Sequence, residues 1–395
     1  MAFDFNYYSP TKVCFGRKAE EQVGKLIKEF GGKRVLLHYG AGSAVRSGLV
    51  DRIKSILDSE GIFYVEFGGA VPNPRLSLVY EGIEIGKREN IDFVLAVGGG
   101  SAIDSAKAVA YGLGEPDRDV WELYLKKRKA AACLPLGALI TIAAAGSETS
   151  ASSVITNWET GEKRSCNNDI CRPKFAIMNP ELTFGLPDYQ TQAGCADIMM
   201  HTMERYFTNG GNMEITDEIS EGLLRTVIKN ALVLKKDPKN YEARAEIMWA
   251  GSLSHNNLTG CGNNGGDFMS HKLEHEIGGM FDVTHGAGLT AIWPSWARYV
   301  YKDCLHRFEK FAVKVMGVSP AESAEETALL GIEAMEKFYR EIGMPTNLRE
   351  LGIEPTDEEI EKMAESCFRA CGEKASGSAK LLCKEDMIKI YRMAK

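Results

Sequence analysis

The sequence predicts an α/β domain built on a parallel sheet, followed by an all-α domain. Short β-rich runs alternate with helical patterns at a spacing of about thirty residues through the first half of the chain, which is typical of βαβ units. Two of these runs end in glycine-rich turns. After residue 186 the pattern changes to long amphipathic helices with few strand candidates, which indicates a helical domain.

Four strands are predicted in the first half, and helical patterns separate them. The strands are 34–39, 62–67, 92–97 and 139–143, and the helices between them are 47–59, 76–87 and 102–113. Apolar residues recur at helical spacing in these helices. The strands are mostly apolar, so we expect them to be buried on both faces, as a parallel sheet between two layers of helices requires.

The second half is predicted to consist of helices. Apolar residues recur at helical spacing over 214–236, 321–342, 357–370 and 384–393. Glycine and proline interrupt the chain at Phe184-Gly185-Leu186-Pro187, and both residue types favour turns. We therefore expect the α/β domain to cover residues 1–186 and the helical domain to cover residues 187–395.

Composition argues against several classes of protein. Of the 395 residues 44% are hydrophobic, and 47 Lys and Arg against 54 Asp and Glu give a net charge of −7. Nucleic-acid binding, which depends on neutralising phosphates, is not expected. Neither a secretory signal nor an apolar stretch of about 18 residues is present, so we expect no membrane insertion. The ten cysteines form no CxxC pair, which indicates reduced thiols in a cytoplasmic protein.

The turn after the third predicted strand has the composition of a phosphate-binding loop. Gly98-Gly99-Gly100-Ser101 joins that strand to a helix with Asp104 in its first turn. Glycines allow the backbone to approach a pyrophosphate, and the N-terminus of a helix attracts anions. The turn matches neither the GxGxxG nor the Walker pattern. A tight turn in which Ser101 caps the helix is the structural alternative.

The turn after the first predicted strand bears on the choice of dinucleotide. Gly40-Ala41-Gly42-Ser43 contains no carboxylate, and Arg46 follows closely. A carboxylate near this position commonly binds the ribose 2′-hydroxyl of NAD and repels the 2′-phosphate of NADP. The turn therefore favours NADP, although alone it is more often a simple connection.

Most of the seven histidines cluster in the second half of the chain and indicate a metal site. Asp197 and His201 are four residues apart, so they share one face of a helix, and His271 and His275 have the same spacing. Together with His285 they suit a divalent first-row metal such as iron or zinc. Spacing leaves open which histidines bind the metal, and a solvated helix face is the alternative. We expect structural roles for the other histidines: His38, His255 and His306.

Eight motifs distributed over nearly the whole chain are far more specific together than singly. They are residues 9–16, Pro72-Asn73-Pro74, residues 98–107, Ala145-Gly146-Ser147-Glu148, residues 180–186, Asp197 with His201, residues 271–275 and residues 284–288. In these motifs the chain resembles the iron-containing (group III) alcohol dehydrogenase family, and in particular its butanol dehydrogenase-like branch of NADPH-dependent aldehyde reductases.

The resemblance implies an architecture, cofactors and partners. It implies a dinucleotide-binding α/β domain and a helical metal-binding domain in a dehydroquinate synthase-like arrangement, with the active site between them. The implied cofactors are NADP(H) and one divalent metal, with Fe²⁺ first and Zn²⁺ as the alternative. The implied substrate is a primary aliphatic aldehyde such as butyraldehyde, or the corresponding alcohol, and the implied assembly is a homodimer.

The resemblance also implies site residues. The metal ligands would be Asp197, His201, His271 and His285, and His275 would be a histidine near the nicotinamide that relays a proton. The implied cofactor contacts are Gly42, Ser43, Asn73, Gly99, Gly100, Ser101, Asp104, Thr141, Ser147, Lys163 and Leu182. The family often has Gly-Thr-Gly-Ser-Glu where this chain has Ala144-Ala145-Gly146-Ser147-Glu148, so one threonine hydroxyl near the cofactor is missing.

Hydride transfer between a nicotinamide and a carbonyl carbon is the expected reaction, with the metal as Lewis acid. Three other functions remain open. A dehydroquinate synthase-like cyclase or lyase would use NAD without net turnover. A metallohydrolase would leave the glycine-rich turns without a role. A non-catalytic nucleotide-binding protein would leave the histidine cluster unexplained.

Overall fold

A computed structural model describes residues 2–40, 42–211 and 213–395 of the chain. These residues form two compact units: residues 9–186 make up the first, and residues 187–395 together with the segment 2–8 make up the second. The expected division differs from the structure for residues 2–8, which we expected in the first domain. The backbone N–H of Phe3 donates to the carbonyl of Gly262 at 2.9 Å, and this bond ties the segment to the second unit.

The first unit combines a parallel sheet with helices, as the sequence predicts. Its strands are β1 (Lys12–Phe15), β2 (Arg34–Gly40), β3 (Phe63–Ala70), β4 (Phe93–Gly98), β5 (Leu136–Ile140), β6 (Ser152–Asn157), β7 (Glu162–Asn167) and β8 (Phe175–Met178). Its helices are α1 (Val23–Glu29), α2 (Ser43–Arg46), α3 (Leu49–Ser59), α4 (Leu76–Arg88), α5 (Gly100–Gly114) and α6 (Trp121–Tyr124). The sheet has the strand order β1–β8–β5–β4–β2–β3 with every neighbouring pair parallel, and β6 and β7 form a separate antiparallel hairpin.

Some details of the predicted sheet are wrong. The strand expected at 139–143 is β5, which begins at Leu136 because that residue pairs with Val94 of β4. Burial on both faces holds for β4 and β5, but β3 lies at the sheet edge and only Phe67 and Ala70 are buried in it. We did not predict β1, β6, β7 and β8, which are short or, like β7, rich in polar residues.

Helices cover both faces of the sheet, and successive strands are added on opposite sides of β2, with β3 on one side and β4 on the other. Val35 and Leu37 of β2 share one buried cluster with residues of α1 and α3. On the opposite face His38 of β2 contacts Ser105 of α5, with Nε2 2.6 Å from Oγ. The helices that follow β2 and β4 therefore lie on opposite faces. The carboxyl ends of these neighbouring strands form a topological switch point, where open α/β sheets bind ligands.

His38 has the structural role expected for it. The side chain is fully buried, and Nδ1 lies 2.8 Å from the carbonyl oxygen of Phe67. Burial lowers the pKa of His38 to about 4. The imidazole therefore stays neutral near pH 7 and holds β2, β3 and α5 together.

The second unit is helical, as predicted. Its helices are α7 (Asp188–Tyr206), α8 (Glu214–Lys236), α9 (Tyr241–His255), α10 (Met269–Phe281), α11 (His285–Val300), α12 (Leu305–Lys314), α13 (Ala324–Glu341), α14 (Asp357–Ala370) and α15 (Lys384–Ala394). The central helix is α7, in which every residue from Thr191 to Tyr206 is buried because α8, α9 and α11 pack around it. Charged side chains on such a helix must be paired or bind an ion.

Within the described ranges, no helix has the length and apolar character needed to cross a membrane. All ten cysteines are free thiols. His306, for which we expected a structural role, lies in the first turn of α12.

Replacement of Gly137 in β5 tests how tightly the side chains pack within the sheet. A Cβ atom on Gly137 would lie 2.2 Å from Cζ of Phe175 on β8, inside the buried sheet. We expect Gly137→Ala to lower the free energy of unfolding by about 1–3 kcal/mol, because overpacking a close-packed core forces its neighbours apart. Denaturant unfolding of the purified protein measures the change. Gly185→Ala is the control, since a Cβ there meets nothing within 4 Å; equal losses in both variants would contradict the packing argument.

Candidate metal centre and nucleotide turns

Helix α7 carries two of the predicted metal ligands. Asp197 and His201 lie one turn apart, and Nδ1 of His201 is 3.2 Å from Oδ1 of Asp197. Their side chains are only 4% and 6% exposed. The all-round burial of α7 therefore holds a carboxylate and an imidazole next to each other in the interior of the second unit.

His271 and His285 reach the same carboxylate from two other helices. His271 lies in the first turn of α10, and its Nε2 is 3.6 Å from Oδ1 of Asp197. His285 is the first residue of α11, and its Nε2 is 3.8 Å from the same oxygen. Donor atoms bound to one tetrahedral ion at about 2.0–2.2 Å lie about 3.3–3.6 Å apart. The spacing of these four groups is close to that expected for ligands of a shared cation.

Three of these polar atoms have no hydrogen-bond partner within the part of the chain that the structure describes. They are Oδ1 of Asp197, Nδ1 of His201 and Nε2 of His271, and all three are buried. Each of these residues offers a ligand atom within 4.8 Å of the other two. A buried polar atom without a partner costs about 1–3 kcal/mol. One divalent cation would satisfy all three atoms, so the residues present fit the predicted metal.

Two buried glutamates orient two of the candidate ligand histidines, each by a hydrogen bond to Nδ1. Oε2 of Glu204 accepts a hydrogen bond from Nδ1 of His271 at 2.9 Å, and Oε1 accepts one from the backbone N–H of the same residue at 3.0 Å. Glu274, which is fully buried, accepts a hydrogen bond from Nδ1 of His285. Because an ionised carboxylate only accepts, both histidines carry the proton on Nδ1. Each therefore turns the lone pair of Nε2 towards Asp197, an arrangement common among metal-binding histidines.

We did not predict Glu204 and Glu274, although a signal was present. Each lies three residues after a candidate ligand, His201 and His271 respectively, and that spacing places it on the same helix face. However, each glutamate serves a histidine on another helix: Glu204 of α7 bonds to His271 of α10, and Glu274 of α10 bonds to His285 of α11. The spacing could have identified the two glutamates, but not their partners.

The electrostatics of the site favour one positive charge. Burial holds the pKa of His201 well below 6.5, and the nearby His255 and His271 lower it further. Burial also acts to lower the pKa of His271, but Glu204 and Asp197 outweigh it and raise that pKa to about 9. A divalent cation would displace the proton from Nε2 of His271 and supply positive charge in its place.

Two further histidines lie beside the candidate ligands. His275 is one turn after His271 on α10, and its ring centroid is 6.4 Å from that of His271 and 6.0 Å from that of His285. His255 is the last residue of α9, and its ring centroid is only 3.9 Å from that of His201. We expected a structural role for His255, and no spacing pattern in the sequence predicts this contact with a candidate ligand.

The glycine turn after β4 leads directly into α5. Gly98 ends the strand, and Gly99 precedes Gly100, the first helical residue. A Cβ on Gly99 would lie 2.1 Å from Cγ2 of Ile142, so only glycine fits there. Among the described residues no side chain, including that of Ser101, caps the start of this helix. The first N–H groups of α5 are therefore suited to an anion.

The predicted cofactor residues near the glycine turns follow three adjacent strands. β5, β4 and β2 are neighbours in the sheet. Thr141 follows β5, residues 99–101 follow β4, and Gly42 and Ser43 follow β2, while Ala41 lies outside the described residues. Because the strands are parallel, these residues lie along one edge of the sheet, at the switch point of the first unit.

Asp104 and Ser147 contact each other in the first unit. The Ser147 hydroxyl donates to Asp104, which also accepts from the backbone N–H of Val154 at 2.8 Å. Nζ of Lys107, a fully buried lysine, donates to Oγ of Ser147 at 3.1 Å. These bonds join α5 to β6 and to the segment before it. Cofactor contacts of Asp104 and Ser147 stay predictions.

The remaining predicted cofactor residues lie in other parts of the first unit. Asn73 is buried, with φ of 52°, in the turn after β3. Lys163 of β7 pairs with Thr156 of β6, whose N–H donates to the carbonyl of Pro74 at 2.8 Å, so the hairpin lies beside that turn. Leu182 is partly buried against the core cluster beneath α1 and α3. The cofactor contacts of these residues also stay predictions.

Comparisons with known proteins agree over the whole chain. The family model described as iron-containing alcohol dehydrogenase matches residues 10–180, and the model described as Fe-containing alcohol dehydrogenase family, C-terminal, matches residues 191–395. NADH-dependent butanol dehydrogenase A of Clostridium acetobutylicum is 39% identical over 389 residues, covering 98% of each chain. The NADPH-dependent aldehyde reductase of Escherichia coli is 31% identical over 353 residues, covering 89% of this chain and 90% of the relative.

A solved structure agrees as well. The crystal structure of NADH-dependent butanol dehydrogenase A from Thermotoga maritima has a TM-score of 0.94 and 37% sequence identity to this chain. The match covers 99% of this chain and 98% of that one. The chain belongs to the iron-containing alcohol dehydrogenase family of oxidoreductases.

Proposed function

We propose that this protein reduces primary aliphatic aldehydes, such as butyraldehyde, with NADPH at one divalent metal ion. Asp197, His201, His271 and His285 would hold the ion, which is Fe²⁺ in this proposal, with Zn²⁺ as the alternative for the same donor set. The observation that carries the proposal is the group of buried ligand atoms that lack hydrogen-bond partners in the described chain. Relatives named butanol dehydrogenase and aldehyde reductase support the reaction class.

The residues of the second unit prepare the site for carbonyl chemistry. A bound divalent cation acts as a Lewis acid that polarises the carbonyl of the substrate. Asp197 supplies the negative charge that holds a cation in the interior. Glu204 and Glu274 keep the imidazoles of His271 and His285 in one tautomer and one orientation, so little reorganisation is needed when the charge of the substrate changes.

We assign proton transfer to His275. Reduction of an aldehyde requires a proton at the oxygen as well as a hydride at the carbon. The His275 ring lies beside two candidate ligands without taking part in the predicted set. Imidazole is the side chain best suited to exchange protons near neutral pH.

The turn after β2 supports the proposed preference for NADPH. The turn contains no carboxylate, and Nη1 of Arg46 lies 2.9 Å from the position that a Cβ on Gly42 would take. A positive charge is therefore held beside the predicted ribose position, which suits a 2′-phosphate. The relatives differ on this point: butanol dehydrogenases 38–40% identical to this chain are named NADH-dependent, and the aldehyde reductase that is 31% identical is named NADPH-dependent.

We also propose that the protein is a cytoplasmic homodimer. Aromatic side chains in the segment 2–8 are about half exposed, with Phe3 at 50%, Phe5 at 48% and Tyr8 at 57%. Exposed apolar groups in one short segment favour a protein contact. Ten free cysteines suit a reducing compartment.

Replacement of Asp197 tests the metal ligands. We expect Asp197→Ala to be isolated with less than about a tenth of the wild-type metal content, because loss of the carboxylate removes the charge that holds the cation. Metal analysis of protein purified without oxygen measures the content. Asp188→Ala is the control on the same helix, since Asp188 is half exposed and bonds to Lys235 and Gln192. Wild-type metal content in Asp197→Ala would remove Asp197 from the ligand set.

Replacement of His275 separates proton transfer from metal binding. We expect His275→Ala to keep its metal and to lose about 10²–10⁴-fold in kcat, the usual contribution of a general acid. If His275 transfers the proton, the plot of kcat against pH should lose in this variant the inflection that His275 causes in the wild type. Metal analysis and steady-state rates between pH 5 and 9 measure both effects. Loss of the metal would instead identify His275 as a ligand.

Cofactor preference can be tested in the same aldehyde assay. We expect wild-type protein at full metal occupancy to oxidise NADPH with butyraldehyde at a higher kcat/KM than NADH. Arg46→Gln should lower kcat/KM for NADPH by about 10–100-fold, since one charge-assisted contact to a phosphate contributes about 1.5–3 kcal/mol, and leave the value for NADH unchanged. Arg52→Gln is the control, because Arg52 is exposed on α3.

The other outcomes of this assay are informative. A wild-type preference for NADH, unchanged in Arg46→Gln, would leave the reaction class in place and contradict the interpretation of the turn. No turnover with either cofactor at full metal occupancy would favour the cyclase and hydrolase alternatives.

A further inference from the structure

Arg205 is a buried cation one turn beyond His201 on α7. It is only 6% exposed. Nη1 donates to the carbonyl of His201 at 2.7 Å and to the carbonyl of Ser254 at 3.1 Å. Ser254 precedes His255 at the end of α9. The guanidinium is therefore anchored on the backbone of two helices that meet beside the candidate metal centre.

The same guanidinium contacts two aromatic rings. Nη2 of Arg205 is 3.2 Å from Nδ1 of His255. Arginine has only donors, so Nδ1 of His255 accepts, and a neutral His255 carries its proton on Nε2. Cζ of Arg205 also lies 4.8 Å from the centroid of the Phe268 ring, within the range of a cation–π contact.

Each of these rings packs against a candidate metal ligand. The ring centroids of His255 and His201 are 3.9 Å apart, and those of Phe268 and His271 are 5.9 Å apart. The backbone of Phe268 has φ of 57°, in a left-handed region that bulky residues seldom adopt. Such a conformation persists only where the surroundings fix the residue. The residues around Phe268 therefore hold its backbone in place, and its ring lies between Arg205 and His271.

His201 differs from the other candidate imidazoles in how it is oriented. Glu204 and Glu274 bond to His271 and His285, whereas no carboxylate among the described residues forms a hydrogen bond to His201. The contact that restricts its ring from one side is the packing of His255. His255 is in turn bound by Arg205.

We propose that Arg205 is a positioning residue for the metal centre, which holds His255 against His201 and Phe268 against His271. The two ligand rings then keep their orientation before the metal binds. This inference rests on the proposed metal ligands. It assigns to a hydrogen-bonded arginine and a packed histidine the role that glutamates have for the other two imidazoles.

Metal affinity of the metal-free protein tests the proposal without any measurement of activity. Zn²⁺ binding is measured by competition with a chromophoric chelator, and the Co²⁺ absorption spectrum reports the ligand geometry. We expect Arg205→Met and His255→Ala each to weaken Zn²⁺ binding by about 10–100-fold, as is usual when a group that orients a ligand is removed, and to change the Co²⁺ spectrum. Arg205→Lys keeps the charge but not the planar fork, so its affinity should lie between wild type and Arg205→Met.

Arg244→Met is the matched control for loss of a buried arginine. Arg244 is 4% exposed on α9, the helix that ends in His255, and donates to the carbonyl of Pro238 and to Thr191. We expect this variant to have a lower melting temperature but a Zn²⁺ affinity within about twofold of wild type, as for independent sites. If Arg205→Met does not fold, His255→Ala and Arg205→Lys still test the proposal.

Two results would overturn the proposal. One is Zn²⁺ affinity and a Co²⁺ spectrum equal to wild type in both Arg205→Met and His255→Ala. The other is an equal loss of affinity in Arg244→Met, which would indicate a general effect of destabilisation. Failure of the proposed function gives a different result, because the wild-type protein itself would then bind neither Zn²⁺ nor Co²⁺.

Discussion

A single carboxylate oxygen, Oδ1 of Asp197, is the constraint on which the arrangement of the second unit depends. It lies on a helix that is buried all round, and nitrogen atoms of three imidazoles face it at 3.2–3.8 Å. An ionised carboxylate in such a place is costly unless a positive charge or donors compensate for it. The helices α7, α10 and α11 meet at this oxygen, so a cation bound there stabilises the contacts among them. Metal binding and the stability of this unit are therefore coupled.

The hydrogen bonds that orient His271 continue through several residues to a distant part of the second unit. Glu204, its hydrogen-bond partner, accepts through its backbone carbonyl from the N–H of Asp267 at 2.7 Å. The fully buried Asp267 accepts from the N–H of Met269 at the start of α10 and from the N–H groups of Ser378 and Ala379. Burial and the nearby Glu204 raise the pKa of Asp267 to about 7. This candidate ligand is thus fixed through a helix N-terminus to a distant segment of the chain, which explains how a strained Phe268 can persist between them.

A different constraint shapes the turns of the first unit. Gly99 is required because Ile142 occupies the space of a side chain there, and Ile142 belongs to the segment after β5. Lys107 of α5 reaches the same segment, donating to the carbonyls of Ser150 and Ser152 at 3.0 and 2.7 Å. A fully buried lysine needs several acceptors, and these acceptors are supplied by one loop. The turns at the carboxyl ends of β4 and β5 are therefore held to each other before any ligand binds. Because these turns are already ordered, binding of a ligand costs less conformational entropy.

The part of this structure that the sequence predicts is the part that lies within single elements. Asp197 and His201 are recognisable because four residues on a helix make neighbours, and β4 is recognisable because an unbroken apolar run is typical of a buried parallel strand. Predictions fail for features that depend on contacts between separate helices or strands. The beginning of β5 depends on its pairing with β4, and the polar β7 becomes a strand only by pairing with β6.

The same limit applies to the candidate site, where the contact between His255 and His201 cannot be predicted from the sequence. The neighbours of His255 in the sequence, Ser254 and Asn256, carry no sign of a metal, and its spacing from His201 is too long for any periodic pattern. The ring reaches His201 because α9 packs along α7 and Arg205 draws the end of α9 inwards through two hydrogen bonds. A residue that acts on a ligand by packing has no pattern of its own, since its role depends on the helix crossing and not on its chemistry. Residues of this kind become visible only when the distances between helices are known.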